Sequence, residues 1–452
     1  MCPIDVGQRF LDHYHSQGFQ VLPRSSLLDP MIPMTFVMSA GLTQIESEGE
    51  YSANHAGERY VLLQPCFRHF DLEKIGRSPI HLSLFGMGGA FSFGETRKRD
   101  TIRDVWRFLT DALGFCPAQL GVTYFSGGAL DGFDFAEDSE TISAWQEIGL
   151  HPPQMVGLGA EANLWRQGGG LADQERFRKC GPTTEIFFDR GSQWSCGHAC
   201  RPGCRCGRFI EIANVLFIRA RFDQVSRTFE PMVTPFDETV IGVERAAMAL
   251  QGKASVFELE CLAPLVRLVR SYLRRADLPD PSALESAQII ADHIRALLFL
   301  AADAAPPPGK GGRAVIIRKL IRAMLTHQKA LGIARPTFIP DLVDAALDLL
   351  GSQYPHLHAG RAVLLSYFDL ERERFEQTLS AGYRRLDQFI CRGGNGALGG
   401  EQALDLVKRH GLPLILLEAA LAQRGVDLSM SAYQESFMRW EQAEAQTNEV
   451  ER

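Results

Sequence analysis

Two segments about 170 residues apart limit the folds open to this 452-residue chain. The first runs Cys66-Phe67-Arg68-His69-Phe70-Asp71-Leu72-Glu73 and is followed by His81-Leu82-Ser83-Leu84-Phe85. The second is Ile241-Gly242-Val243-Glu244-Arg245. Their patterns predict a strand ending at a fixed arginine, a returning strand carrying His-x-x-x-Phe, and a helix opened by Gly-x-Glu-Arg. Such residue types suit a phosphate-rich nucleotide, because arginines pair with phosphates and an aromatic ring can stack on a base. Any one of these residues alone reads equally well as a surface ion pair or as core packing. The ordered pair carries the inference.

Length and composition set the frame. A chain of this size holds two or three domains with sizeable cores. Its 45% hydrophobic and 22% charged residues are those of an ordinary soluble globular protein. No stretch approaches the roughly 20 apolar residues of a membrane span. The opening Met1-Cys2-Pro3-Ile4-Asp5-Val6 lacks the basic and apolar regions of a signal peptide, so a cytoplasmic location is expected. Up to about residue 250 the chain reads as mixed α/β. Strand-like runs at 20–23, 61–64 and 122–125 alternate with helical stretches such as 99–113. Their spacing suits an antiparallel sheet covered by helices. From about Ser255 helical periodicity takes over, with Val315, Ile316, Leu320, Ile321 and Met324 at helical spacing and a similar pattern over 361–385. Proline and glycine interruptions at 279–281, 306–312, 336–340 and 393–400 separate the helices.

The two segments match motifs 2 and 3 of class II aminoacyl-tRNA synthetases, and the sequence around them resembles the alanyl-tRNA synthetase family. The stretch 10–18 and Ser25-Ser26-Leu27-Leu28 are similar to that family's opening helix and strand. Ala40-Gly41-Leu42-Thr43-Gln44 resembles its AGMNQ motif, Gly88-Gly89-Ala90-Phe91-Ser92-Phe93-Gly94 its LGNFSFG, and Asn163-Leu164-Trp165-Arg166-Gln167-Gly168 its NFWxMG. Glu185-Ile186-Phe187-Phe188-Asp189, the stretch 208–214 and Ala291-Asp292-His293-Ile294-Arg295 follow in the family's order. The resemblance covers nearly the whole chain. It implies an α+β protein: a class II antiparallel sheet flanked by helices over 1–252, with a cysteine-rich loop in 180–206, then an all-α domain over 253–452 that recognises a tRNA acceptor stem.

Site residues carry over position by position. By this resemblance Arg68 contacts the α-phosphate and the amino-acid carboxylate, Phe85 stacks on adenine, and His81 reaches the phosphates of ATP. Gly242 opens the motif 3 helix, Arg245 holds the γ-phosphate, and Glu244 supports Mg²⁺ or the ribose. Trp165 forms one wall of the amino-acid pocket, Asn214 hydrogen-bonds the substrate, and Leu216 packs near its side chain. A buried α-ammonium needs a paired anion. Glu238 occupies the position of the family's Asp in DTGMGLER, with Asp237 beside it as a competitor. Three departures stand out. The loop after the motif 2 arginine is reduced to His69-Phe70, the Trp of the family's EIWN is Ala213, and a pocket glycine is Val240. Overfilling a small pocket with a branched side chain costs roughly 1–3 kcal/mol unless the backbone moves. Alanine is thus the leading substrate, with glycine or another small amino acid as alternatives.

Four of the ten cysteines fall in Cys196-x3-Cys200-x3-Cys204-x-Cys206, with His198 inside the run and Cys180 upstream. In a cytosolic chain this density suits a structural Zn²⁺ rather than disulfides, although the spacing departs from paired CxxC and also allows free thiols or a redox pair. The net charge of −7 argues against indiscriminate nucleic-acid binding. Between Leu262 and Ala330, however, eleven Lys and Arg stand against five acids. Arg267, Arg270 and Arg274 share a helical face, as do Arg318 and Arg322. A clustered basic face suits a confined phosphate-backbone contact, or else a solvated helix side. The resemblance favours the first, with Lys310, Arg313, Arg318, Arg322 and Lys408 as tRNA contacts. Members of the family read a G·U wobble pair in the acceptor stem through an Asn and an Asp. Lys310 stands at the first position, and Lys408 and Ile415 at the candidates for the second.

The function implied is ATP-dependent activation of alanine, or a similarly small amino acid, and its transfer to tRNA. An alternative is an adenylating ligase that works without tRNA and delivers the aminoacyl group to a carrier protein or small amine. A third class, a non-catalytic paralogue, is opposed by intact Arg68, Phe85, Glu244 and Arg245. The segment 435–441 resembles the last helix of the family's tRNA-binding region. Hence the zinc-dependent editing domain and the oligomerisation module are expected to be absent. On that expectation the protein is a monomer, and misacylation with serine or glycine goes uncorrected in cis.

Overall fold

The computed structural model describes residues 1–28, 57–94, 96–130, 132–167, 176–274, 280–393 and 397–450. The Ala40–Gln44 motif, Gly168, Arg275, Asp277 and Pro279 lie outside the described residues. Eleven strands occupy the first part of the chain: β1 (Gln20–Val21), β2 (Arg59–Phe67), β3 (Leu84–Phe93), β4 (Leu120–Phe125), β5 (Gly128–Leu130), β6 (Phe133–Phe135), β7 (Met155–Leu158), β8 (Leu164–Arg166), β9 (Phe177–Asp189), β10 (Phe209–Asp223) and β11 (Thr228–Gly242). Nine form one sheet in the order β1-β2-β3-β11-β10-β9-β4-β7, with β8 also pairing with β9. Only the outer pairs β1/β2 and β4/β7 are parallel, so the expected antiparallel sheet is what forms. β5 and β6 make a separate hairpin.

The centre of β10 is covered on both faces. Val215, Leu216, Phe217 and Ile218 are all buried, which is why this strand reads as a continuous apolar run instead of an alternating one. On one face sit the helices Pro3–Ser16 and Lys98–Arg107; the first turns Val6, Phe10 and Tyr14 inward at helical spacing. The helix expected over 99–113 changes character after Arg107, where Phe108–Ala112 continues as a wider π turn. The opposite face carries a cluster of Leu62, Phe91, Phe93, Leu216, Ile218 and Phe236, with Trp165 and Val240 packed against it.

The chain divides into two compact units, Met1–Pro264 and Leu265–Arg452. This division falls after the 252/253 boundary read from the sequence. The intervening turn is held to the first unit, where the Val256 N–H donates to the Pro79 carbonyl at 2.9 Å. In the second unit the helix Pro281–Ala302 is buried continuously from Ile289 to Ala301. A helix buried on all sides belongs at the middle of a helical core, and here the buried run also takes in Asp292, His293 and Arg295. Gly312–Ala330, Phe338–Leu350 and Gly360–Gly393 pack on it, and Gly400–Lys408, Leu414–Arg424 and Met430–Val450 follow. Among the described residues no helix is long and apolar enough to cross a membrane.

Candidate functional site

Cross-strand pairing arranges the second face of the sheet into rows. One row runs Glu185, Asn214, Val240, Gly89, Leu62. The next, two residues along each strand, runs Thr183, Leu216, Glu238, Phe91, Tyr60. Side chains alternate with period two, so both rows share a face. Trp165 joins them from β8, opposite Gly181. A side chain at Gly181 is impossible, because its Cβ would stand 1.9 Å from the Phe217 carbonyl oxygen. Trp165, Asn214, Leu216, Glu238 and Val240 are therefore brought over one patch.

Asp237 is not among them. The pleat of β11 turns it to the opposite face, where it is 1% exposed, ion-paired with Arg219 and accepting a hydrogen bond from the Thr101 hydroxyl at 2.6 Å. This corrects its place as competitor to Glu238: its carboxylate is spent on a buried structural pair.

The other end of the site is cationic. Arg68 follows the last residue of β2, its N–H donating to the Ser83 carbonyl at 2.8 Å. Its guanidinium is half-exposed and only 3.9 Å from Asp71, a loose contact. Phe85 is half-buried on β3 opposite Cys66, on the same face as Gly89 and Phe91 by alternation. Gly242 closes β11 and caps the helix Val243–Leu250, in which Arg245 donates to Glu211 at 3.0 Å. Glu244 is buried, and both its carboxylate oxygens accept from the Gly86 N–H, at 2.9 and 3.2 Å. That contact ties the first helical turn to β3 beside Phe85. His81 lies 2.6 Å from the Ser78 hydroxyl. Burial lowers its pKa, and the charges of Arg245, Lys74 and Arg68 lower it further. The charge of Asp71 opposes them, so three cations and one acid surround this half-buried imidazole, a corner with more positive than negative charge.

Sequence reasoning missed four polar residues on this face. Asn163, fully buried, donates from Nδ2 to the hydroxyls of Thr123 at 3.1 Å and Thr183 at 3.3 Å. Thr123 in turn donates to the Glu185 carboxylate at 3.3 Å. Burial and the charge of Glu211 push the Glu185 carboxyl up to about 7, opposed by Thr123 and Arg245. The available signal was the polar pair Thr183 and Glu185, two residues apart and so on one face of the strand.

The connection between β9 and β10 is the cysteine loop. All four Sγ atoms of Cys196, Cys200, Cys204 and Cys206 lie within 4.8 Å of one another, with Cys196–Cys204 and Cys200–Cys206 each at 3.4 Å. A tetrahedral zinc with Zn–S near 2.3 Å spaces its sulfurs by about 3.8 Å, so the donor set fits that ion. Two turns, Cys200 N–H to Gly197 and Cys204 N–H to Arg201, fold the unusual spacing together. At the base of the loop, Arg208 grips Asp189 through two hydrogen bonds of 2.7 and 2.6 Å. At its tip, Gly203 has φ 84°, and a Cβ there would sit 3.0 Å from Leu158 and 3.5 Å from Thr123. The tip thus passes near Leu158 and Thr123, with no room for a side chain against Leu158.

In the helical unit, Lys310 is exposed just before the helix that carries Arg313, Arg318 and Arg322. Arg322 donates to the fully buried Glu371 at 2.5 Å and lies over Phe375. The Lys408 ammonium sits 3.8 Å from the Trp440 ring centroid and 4.5 Å from that of Phe437. Arg322 and Lys408 are therefore engaged within the unit itself.

Comparison with known proteins adds to this geometry. Residues 5–452 match the profile of the family described as tRNA synthetases class II (A). An alanine–tRNA ligase of Dehalococcoides mccartyi is 28% identical over 445 residues, 98% of this chain and 49% of its own length. That of Desulforudis audaxviator is 30% identical over 451 residues, covering 99% and 49%. That of Methylobacillus flagellatus is 32% identical over 456 residues, covering 97% and 49%. The chain spans about half the length of the curated relatives it matches.

Proposed function

This chain belongs to the class II (A) tRNA synthetase family, and on that premise we propose that it activates alanine, or an amino acid of similar size, and transfers it to the 3′ end of a tRNA. The observation that carries the reading is the meeting, on one sheet face, of a cationic corner with a small apolar patch that holds a buried acid. In the first step the substrate carboxylate attacks the α-phosphorus of ATP in line, the bond to the bridging oxygen breaks, and pyrophosphate leaves. No general base is needed, because the carboxylate is already ionised at neutral pH. Arg68 offers its loosely held guanidinium to the charge that develops on the α-phosphate. Phe85 stacks on adenine, while Arg245 and His81 receive the outer phosphates. The Mg²⁺ that accompanies ATP offsets charge on those phosphates. Trp165, Leu216 and Val240 enclose a side chain no larger than a methyl group, and Glu238 pairs with the α-ammonium. In the second step the terminal ribose hydroxyl attacks the acyl carbonyl and AMP leaves. Cys196, Cys200, Cys204 and Cys206 would hold a structural zinc, whose part is to fix the β9–β10 connection.

One observation favours a second acceptor, a carrier protein or small amine. Lys310 stands at the first position at which the family reads the acceptor stem, and Lys408 and Ile415 at the candidates for the second, with the Lys408 ammonium lying on Trp440. Amino-acid-dependent exchange of pyrophosphate into ATP tests the first step, and acylation of total tRNA tests the second. Arg68→Ala should reduce exchange by roughly 10²–10³-fold in a folded protein. Undiminished exchange would remove Arg68 from the reaction.

A further inference from the structure

Glu185 is the direct cross-strand neighbour of Asn214, which is itself the neighbour of Val240. Glu238 stands in the adjacent row, one strand beyond Asn214 and Leu216. Neighbouring strands lie about 4.8 Å apart, so two glutamate side chains leaning from β9 and β11 can reach a small group placed over β10. Among the described residues, the one hydrogen bond to the Glu185 carboxylate comes from Thr123. The charges acting on it are Glu211 on β10, which repels it, and Arg245, which is already paired with Glu211. From β4 it meets the neutral Thr123, and Glu238 on β11 is a second acid. Two buried amide oxygens border this group without a partner, Oδ1 of Asn163 and Oδ1 of Asn214. A half-buried carboxylate with one hydrogen bond and no cation of its own, beside two buried acceptors without a partner, has room for further donors.

An α-ammonium supplies three N–H donors and a positive charge. Resting on the amino-acid activation proposed above, we propose that Glu185 is a second acid of the amino-acid site, accepting from the substrate α-ammonium together with Glu238 and Oδ1 of Asn214. Thr123 and Asn163 are positioning residues. The chain of donors from Asn163 to Thr123 to Glu185 fixes the carboxylate.

The test compares two probes: a hydrolysis-resistant sulfamate analogue of alanyl adenylate, and its propionyl counterpart lacking the amine. Dissociation constants are measured for the wild type, Glu185→Gln and Thr123→Val, between about pH 5.5 and 7, where the α-amine stays protonated. The wild type should prefer the amine-bearing probe, and increasingly so as pH rises toward 7 and Glu185 ionises. Glu185→Gln should cut that preference roughly ten- to hundredfold and flatten its pH dependence. The propionyl probe should bind the variant as it binds the wild type, which also reports the fold. Thr123→Val keeps the acid but removes its donor, so the pH dependence should persist and move upward. A Glu185→Gln protein with wild-type preference and pH dependence overturns the assignment, as does a wild type that binds both probes equally. Failure of the wild type to bind either probe overturns the activation reading and this inference with it.

Discussion

Asp237 and Glu238 differ by one methylene and by which way the pleat of β11 turns them. Glu238 looks onto the patch formed by Trp165, Leu216 and Val240, whereas Asp237 is locked to Arg219 and Thr101 beneath it. The two positions should therefore fail in different ways. Glu238→Gln should raise the amino-acid KM in pyrophosphate exchange roughly ten- to hundredfold, because an ammonium loses its charge partner. Asp237→Asn should leave that KM near the wild-type value and lower the unfolding free energy by roughly 1–3 kcal/mol, read from denaturant melts. The reverse pattern would place the substrate on the other face. Val240 raises a question of volume. It stands between Asn214 and Gly89, where the family has a glycine, and packs against the apolar cluster. Val240→Gly should shift the exchange ratio of alanine to glycine toward alanine by about tenfold, the rate equivalent of relieving a small overpacking strain. An unchanged ratio would take Val240 out of the choice of substrate.

At the level of elements, the cysteine loop joins the neighbouring strands β9 and β10 and passes close to β4, so its order bears on how these strands are held. Chelation or Cys204→Ser should release one zinc per chain. It should also speed amide exchange around Asp189 and Phe209, where the Arg208–Asp189 pair closes the loop. Unaltered exchange after complete zinc loss would show that the pair suffices. Much of this element was readable beforehand. Four thiols within eleven residues announce a metal-sized cluster, and the strand-turn-strand and helix-opening motifs announce Arg68, Phe85 and Arg245. What escaped the sequence depended on pairing. Choosing Glu238 over Asp237 needs a one-residue register, and a slip of one exchanges the two faces. Glu185 gains its meaning only once β9 lies beside β10 and sets it opposite Asn214. The contact of the Glu244 carboxylate with the Gly86 amide, which ties the helix to β3, likewise needs the fold to be seen. The late end of the first unit rests on long-range contacts, the Val256 and Ser255 bonds to the Pro79 carbonyl and the Arg190 bond to Ala254, which no local pattern announces.

For the whole molecule the open choice is the acceptor, and the helical unit frames it. Lys310 is exposed before the Gly312–Ala330 helix, while Lys408 holds its ammonium over Trp440 and Phe437. An asparagine or aspartate can read exocyclic groups in the acceptor-stem groove. A lysine instead offers a point charge, suited to phosphates. Each exchange of reader for cation should cost about 1–3 kcal/mol of base discrimination. An ammonium stacked on two aromatic rings is further restrained, and pulling it away gives up a cation–π contact of about 0.5–1 kcal/mol at an exposed site. Lys408 should thus behave as a fixed charge near the backbone. The expected outcome is that alanine tRNA transcripts with G·U or G·C at the wobble pair are acylated at similar rates. Lys310→Ala should weaken both alike and reduce the salt dependence of binding by about one counterion. Rapid charging of the G·U transcript with loss of the G·C transcript would mean that other side chains read the pair. If neither transcript is charged while alanine-dependent exchange is intact, the aminoacyl group goes to an acceptor other than alanine tRNA. The search would then move to other tRNAs, carrier proteins and small amines.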